Sequence, residues 1–206
     1  MKDRTSGRAT AGAAVMAVAL LCALQGSSAS AGADTDAGTD ADSAPEQVCV
    51  GTQPMGSLPR FSPRGSTDDN PLFRTLMYID KTADARYSAV FTGLSVDEEH
   101  QAVDVYRMPS AVLDAEVCGA AEKGVTVRLH DADANRKDLD ALAGRISADM
   151  HRWDGTFSLR QVGVDERGFV FVGVDDPTKA EPVLKEIFGE HHIKVEHAEQ
   201  AEAFTG

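Results

Sequence analysis

Two stretches of this chain, 68 positions apart, carry one pattern: SVDEEHQAVDVYRM at 95–108 and GVDERGFVFVGVDD at 163–176. In each, an apolar run meets a charged turn and a second apolar run follows, with Val96-Asp97-Glu98 lying on Val164-Asp165-Glu166. Short runs of this kind, bounded by turn residues, read as β-hairpins. A pattern that recurs at a fixed interval constrains the fold more than composition does, because each copy must form one supersecondary unit.

The surroundings of the hairpins recur as well. Leu72, Leu76, Ile79 and Ala83 fall at helical spacing and predict a helix over 71–84, with Pro71 in its first turn. Tyr87 to Leu94 and Ala102 to Arg107 read as paired strands. A helix opened by Pro109 follows, with Leu113, Val117 and Ala120 on one face and a stop near Gly124. Val125, Val127 and Leu129 then alternate with polar residues as in a half-buried strand. Asn135 is placed to cap the next helix, with Asp138 at its third position and Leu139, Leu142, Ala143, Ile146 and Met150 as its stripe. Strands at 157–164 and 169–174, a helix from Pro177 and a strand at 193–195 complete the series. Pro109 to Pro177, Val125 to Ile193 and Val127 to Val195 all keep the shift of 68. The fold class expected is therefore α+β: two tandem αββαβ repeats forming one compact domain over 70–198. Residues 125–196 also spell βαββαβ, the ferredoxin-like order, which places the strand at 125–129 between the two hairpins in one sheet.

What precedes that domain reads differently. Lys2, Arg4 and Arg8 lead an apolar run from Ala11 to Leu24, and Ala29-Ser30-Ala31 fits a signal-peptide cleavage site. Residues 1–31 are expected to be a signal peptide, so the chain is expected outside the cell. A lipid anchor through Cys22 is the alternative. Residues 32–69 combine a low-complexity stretch, GADTDAGTDADSAPE, with a linker carrying Pro54, Pro59 and Pro63. Such composition buries little, so the segment is expected to be disordered, as is a flexible tail at 199–206. Once Cys22 leaves with the leader, Cys49 and Cys118 remain, and in an oxidising compartment they are expected to pair.

Charge narrows the partners. Loss of residues 1–31 removes Lys2, Arg4, Arg8 and Asp3, taking the formal charge from −13 to −15. Nothing gathers Lys and Arg against that background, so nucleic acid is excluded as a partner. No stretch after the leader is long and apolar enough to span a membrane.

The scan for chemistry returns three groups. DADANRKD, 131–138, opens like a calcium loop, but Arg136 stands where glycine is needed and Leu142 where a bidentate Glu belongs, so helix capping explains it. His130, His191, His192 and His197 are read as strand-end histidines, since zinc wants three or four closely set ligands. Asp97, Glu98, Asp165, Glu166, Asp175 and Asp176 sit in turns, where Asp caps backbone N–H groups. With no GxSxG, Walker, GxGxxG, HExxH or CxxC motif, the reading is a non-enzymatic protein without metal or cofactor. A secreted hydrolase with scattered site residues and an envelope-associated structural protein are the alternatives.

The two units, VDEEHQAVDVY…GVTVRL and VDERGFVFVGV…HIKVEH, resemble the C-terminal part of the pro-regions of secreted bacterial serine proteases of the α-lytic and streptogrisin type. The resemblance covers about residues 88–198. It is similar also to the pattern of small exported bacterial proteins built from hairpin–helix repeats. In the protease family the pro-region folds against its protease, assists its folding and inhibits it. These 206 residues contain no protease domain, so no catalytic residue carries over. The resemblance implies a free-standing binding module, inhibitor-like or folding-helper-like, with an extracellular protease as the implied partner.

One strand differs between the copies. A shift of 68 carries Ala102, Asp104 and Tyr106 to Val170, Val172 and Val174, and Val103 to Phe171, so the second copy reads as apolar on both faces. Val170, Val172 and Val174 are then either packed against the rest of the domain or open as a partner-binding face.

Overall fold

The computed structural model describes residues 45–60 and 69–200. Helix starts follow their caps. Asn70 Oδ1 accepts from the Phe73 N–H at 2.8 Å and opens α1 (Pro71–Tyr87). Ser110 caps α2 (Ala111–Ala120), Asn135 caps α3 (Arg136–Ala148) and Asp176 caps α4 (Pro177–Phe188). Pro109 thus precedes the cap of α2 instead of opening the helix, whereas Pro177 is the first residue of α4. The strands are β1 (Gln47–Val50), β2 (Phe91–Asp97), β3 (Ala102–Arg107), β4 (Thr126–Asp131), β5 (Leu159–Val164), β6 (Val170–Val174) and β7 (Ile193–His197).

The fold is α+β, with four helices and two mixed sheets ordered β1-β4-β3-β2 and β5-β6-β7. Within each sheet the hairpin is antiparallel, and the strand after the next helix returns parallel to it: β4 beside β3, β7 beside β6. Helix-strand-strand-helix-strand therefore occurs twice in chain order. The ferredoxin-like arrangement over 125–196 does not form. One edge of β4 is taken by β3 and the other by β1, which leaves no edge for the second hairpin.

β1 corrects a second expectation, that residues 32–69 are an unstructured linker. Gln47–Val50 pairs antiparallel with β4, and Gln53 bridges to Glu122. The four residues Gln47–Val50 carry too little periodicity to announce a strand. The pairing comes from β4 and from the Cys49–Cys118 bond, whose Cα atoms lie 5.7 Å apart. The expected signal peptide with Cys22, residues 32–44 and the end of the chain beyond 200 lie outside the described residues.

The shift of 68 does not survive the hairpins. Val96 faces Val103 across the first, while Val164 faces Val170 across the second, so the second turn is shorter by one residue. Side chains alternate along a strand, and a slip of one residue exchanges its faces. Val170 and Val172 therefore take the places of Val103 and Val105, and with Val174 they point at the helices. All three are 0% exposed, packed with Leu139, Leu142, Ile146, Ala180 and Leu184. Phe171 and Gly173 occupy the other face.

Each helix–sheet unit buries its own cluster. Ile79, Val103, Val105, Leu113, Val117, Val127 and Leu129 fill the first; Val170, Val172, Val174, Trp153, Phe157 and Leu184 belong to the second. The two units touch at β2. There Thr92 Oγ1 donates to the Ala134 carbonyl at 2.6 Å, and the backbone of Glu166 packs directly on Gly93.

Candidate functional site

The outward face of the first sheet carries an ionic chain assembled by strand register. Parallel pairing of β3 and β4 sets Asp104 beside Arg128 and Tyr106 beside His130. Arg128 donates through Nε to Asp104 Oδ1 at 2.7 Å and through Nη2 to Asp104 Oδ2 at 2.6 Å, and Nη2 also reaches Asp97 Oδ2 at 3.0 Å. His130 Nε2 lies 2.7 Å from the same Asp104 Oδ1, with its imidazole stacked on Tyr106 at 4.7 Å between centroids. At the turn, Asp97 accepts from the His100 N–H and contacts its Nδ1 at 2.8 Å. The backbone N–H of His100, with Arg128 and the His100 ring behind it, holds the Asp97 carboxyl below its ordinary range, and Asp104 raises the Arg128 guanidinium.

A histidine beside a carboxylate is also the arrangement of a general base. Here Asp104 is shared by Arg128 and His130, and His130 is buried against the Tyr106 ring. Clefts open elsewhere: between α1 and α3 around Asp84 and Arg136, beside the N-terminus of α1 around Phe73 and Val96, and beside α2 around Tyr78 and Glu116. The Asp104 cluster lines none of these three. Its carboxylates are paired with Arg128.

A second ionic group, which sequence reasoning missed, places β1. Glu122 is fully buried and accepts from the N–H groups of Gly56 (2.9 Å) and Leu58 (3.0 Å) and from Arg74 Nε (3.2 Å) and Nη2 (2.7 Å). Asp69 takes the remaining Arg74 nitrogen at 2.8 Å. Burial alone would raise the Glu122 carboxyl, but Arg74 and the two backbone donors outweigh it and hold the carboxyl below its ordinary value. The result straps residues 51–58 to the loop after α2. In the sequence, Glu122 gives no sign of burial: it stands between Ala121 and Lys123 just before a glycine, where a surface turn is the natural reading.

Held at both ends, β1 presents an edge. The Gly51 N–H donates to the Val125 carbonyl, whereas the Thr126 N–H donates to Gln101 on the β3 side. Odd-numbered residues of β4 thus bond toward β1 and even-numbered ones toward β3. By the alternation of an antiparallel ladder, Gln47 and Cys49 bond inward and the amides of Val48 and Val50 point away from the sheet. No other strand among the described residues lies on that side. The same two side chains are 54% and 67% exposed, while Cys49 turns inward to its disulfide.

The residues singled out from sequence are distributed as follows. Cys49 and Cys118 are joined. Val170, Val172 and Val174 are core and not a partner surface, for the register reason given above. His130 stays on the first sheet, His192 Nδ1 contacts the Gly168 carbonyl at 3.1 Å and His197 Nδ1 the Asp175 carbonyl at 3.2 Å, so the histidines are dispersed. His130 is buried against Asp104, not exposed at a strand end as expected. Asp131 pairs with Arg107 and Asp138 donates its N–H to the Asn135 cap, which accounts for both ends of DADANRKD. The turn carboxylates do cap backbone: Asp165 Oδ1 accepts from Arg167 and Phe169, and Asp175 Oδ1 from Ser158. Among the described residues, no cluster of three or more His, Cys, Asp or Glu is set to hold a metal, and no helix is long and apolar enough to cross a membrane.

No protein-family model matches the chain, and no curated protein matches it.

Proposed function

We propose that this chain is a secreted, non-enzymatic binding protein that takes an extended segment of another protein along β1. The observation that carries the reading is the coincidence, at Val48 and Val50, of outward-pointing amides with exposed apolar side chains on a strand clamped by a disulfide. Strand addition to a sheet edge draws affinity from the main chain and selectivity from alternate side chains. A clamped edge loses little freedom when a segment docks. The disulfide and the leader-like residues 1–31 support an oxidising, extracellular setting. The pairing of Asp104 with Arg128, away from the three clefts, supports binding over catalysis. The resemblance to protease pro-regions makes an extracellular protease the first candidate, with inhibition or assisted folding as the outcome.

The test is affinity capture from culture supernatant with residues 32–206 beside the Val48→Lys/Val50→Lys double variant. A protein retained by the native chain and lost by the variant is the expected result. Identical retention by both removes β1 as the site.

A further inference from the structure

The edge of β1 is complementary to itself, and we infer that it pairs with β1 of a second copy to form a two-fold dimer; this rests on the reading of β1 as the docking edge. An antiparallel partner must meet the outward amides of Val48 and Val50 with outward amides of its own. A two-fold axis through Cys49 does this: Val48 falls opposite Val50 of the second copy, and Val50 opposite its Val48. Each such pair exchanges two N–H···O=C bonds. The four valine side chains then cluster on one face, taking their 54% and 67% exposed surfaces out of water. An isologous contact of this kind closes on itself and adds no further copies.

The electrostatics agree. The chain carries a formal charge of −13, which opposes self-association in general. QVCV has no charged residue, so no like charges face each other across the paired positions of β1. Exposed edges usually carry a lysine, a proline or a bulge that blocks pairing. β1 has an unbroken register across its four residues and neither of those residue types. Four residues a side make a contact below roughly 1,200 Å² in total, so the dimer is reversible and concentration-dependent.

Sedimentation velocity on residues 32–206 at about 0.15 M salt, where screening extends over about 8 Å, should show the mass rising from one chain toward two with concentration. In Val48→Lys/Val50→Lys like charges fall opposite each other, and dimerisation should weaken at least about tenfold. In Val48→Lys/Val50→Glu each lysine falls opposite a glutamate, and the dimer should return. Far-UV circular dichroism checks that both variants fold. A native chain of single-chain mass up to millimolar concentration overturns the inference, as does a lysine pair that dimerises like the native chain. Monomeric protein whose capture of another protein still depends on Val48 and Val50 also overturns it, while leaving the strand-addition reading standing. A dimer that follows the charge pattern supports it whether or not anything else is captured.

Discussion

Glu122 shows how a single residue can control a whole segment. Its carboxylate replaces water with four protein donors, two of them the N–H groups of Gly56 and Leu58. Removing one member of a buried pair leaves the other charged and poorly solvated, at a cost of about 3–5 kcal/mol. Glu122→Ala should therefore lower the urea midpoint strongly, and residues 51–58 should become open to proteolysis. The pH dependence has a definite sign. Because the folded carboxyl is held below its ordinary value, its contribution is complete above about pH 4.3, the range of an unperturbed glutamate. It is lost as pH falls through the folded value. Native protein should thus lose more stability between pH 7 and pH 3 than Glu122→Gln does, as read by paired urea titrations; equal losses would mean that Glu122 is not the group being protonated.

At the scale of elements, the shorter second turn decides which face of β6 is buried. Val170, Val172 and Val174 pack beneath α3 and α4, while Phe171 lies outward with its ring against Gly163. Val172→Asp puts an unpartnered carboxylate into the second core and should cost several kcal/mol, on the order of 3 or more. Phe171→Asp should cost clearly less, because that side chain is only partly buried. Thermal unfolding of the two variants settles the register: if Phe171→Asp is the more damaging, the faces are as the constant shift of 68 placed them. The helices were legible because their signals are local. Asn70 and Asn135 cap where they stand, and Leu139, Leu142 and Ile146 mark the buried side of α3. The register of β6 was not, because VDEEHQ and VDERGF align without a gap even though their turns differ by one residue.

Across the molecule, the first hairpin meets the second where Gly93 admits the backbone of Glu166. A Cβ at Gly93 would stand 2.5 Å from the Glu166 Cα, and backbone cannot yield as the end of a side chain can. Gly93→Ala should destabilise by about 1–3 kcal/mol and raise amide exchange in the 165–169 turn; an unchanged midpoint would show that the contact is slack. The sequence by itself determined what depends on neighbours along the chain. That includes the Asn135 cap, the hairpins, the alternation of helices and strands, the turn roles of Asp97 and Asp165, and the pairing of Cys49 with Cys118. Tertiary structure alone decided what depends on partners far along the chain. Glu122 is buried because Arg74 of α1 and the amides of Gly56 and Leu58 converge on it from two other segments of the chain, and none of them is marked in its own surroundings. β1 is a strand because β4 offers an edge 78 residues away and Cys118 ties it there. Val48 and Val50 became the candidate surface for the same reason: which way an amide points is set by the strand it pairs with, and four residues of local sequence carry no record of that strand.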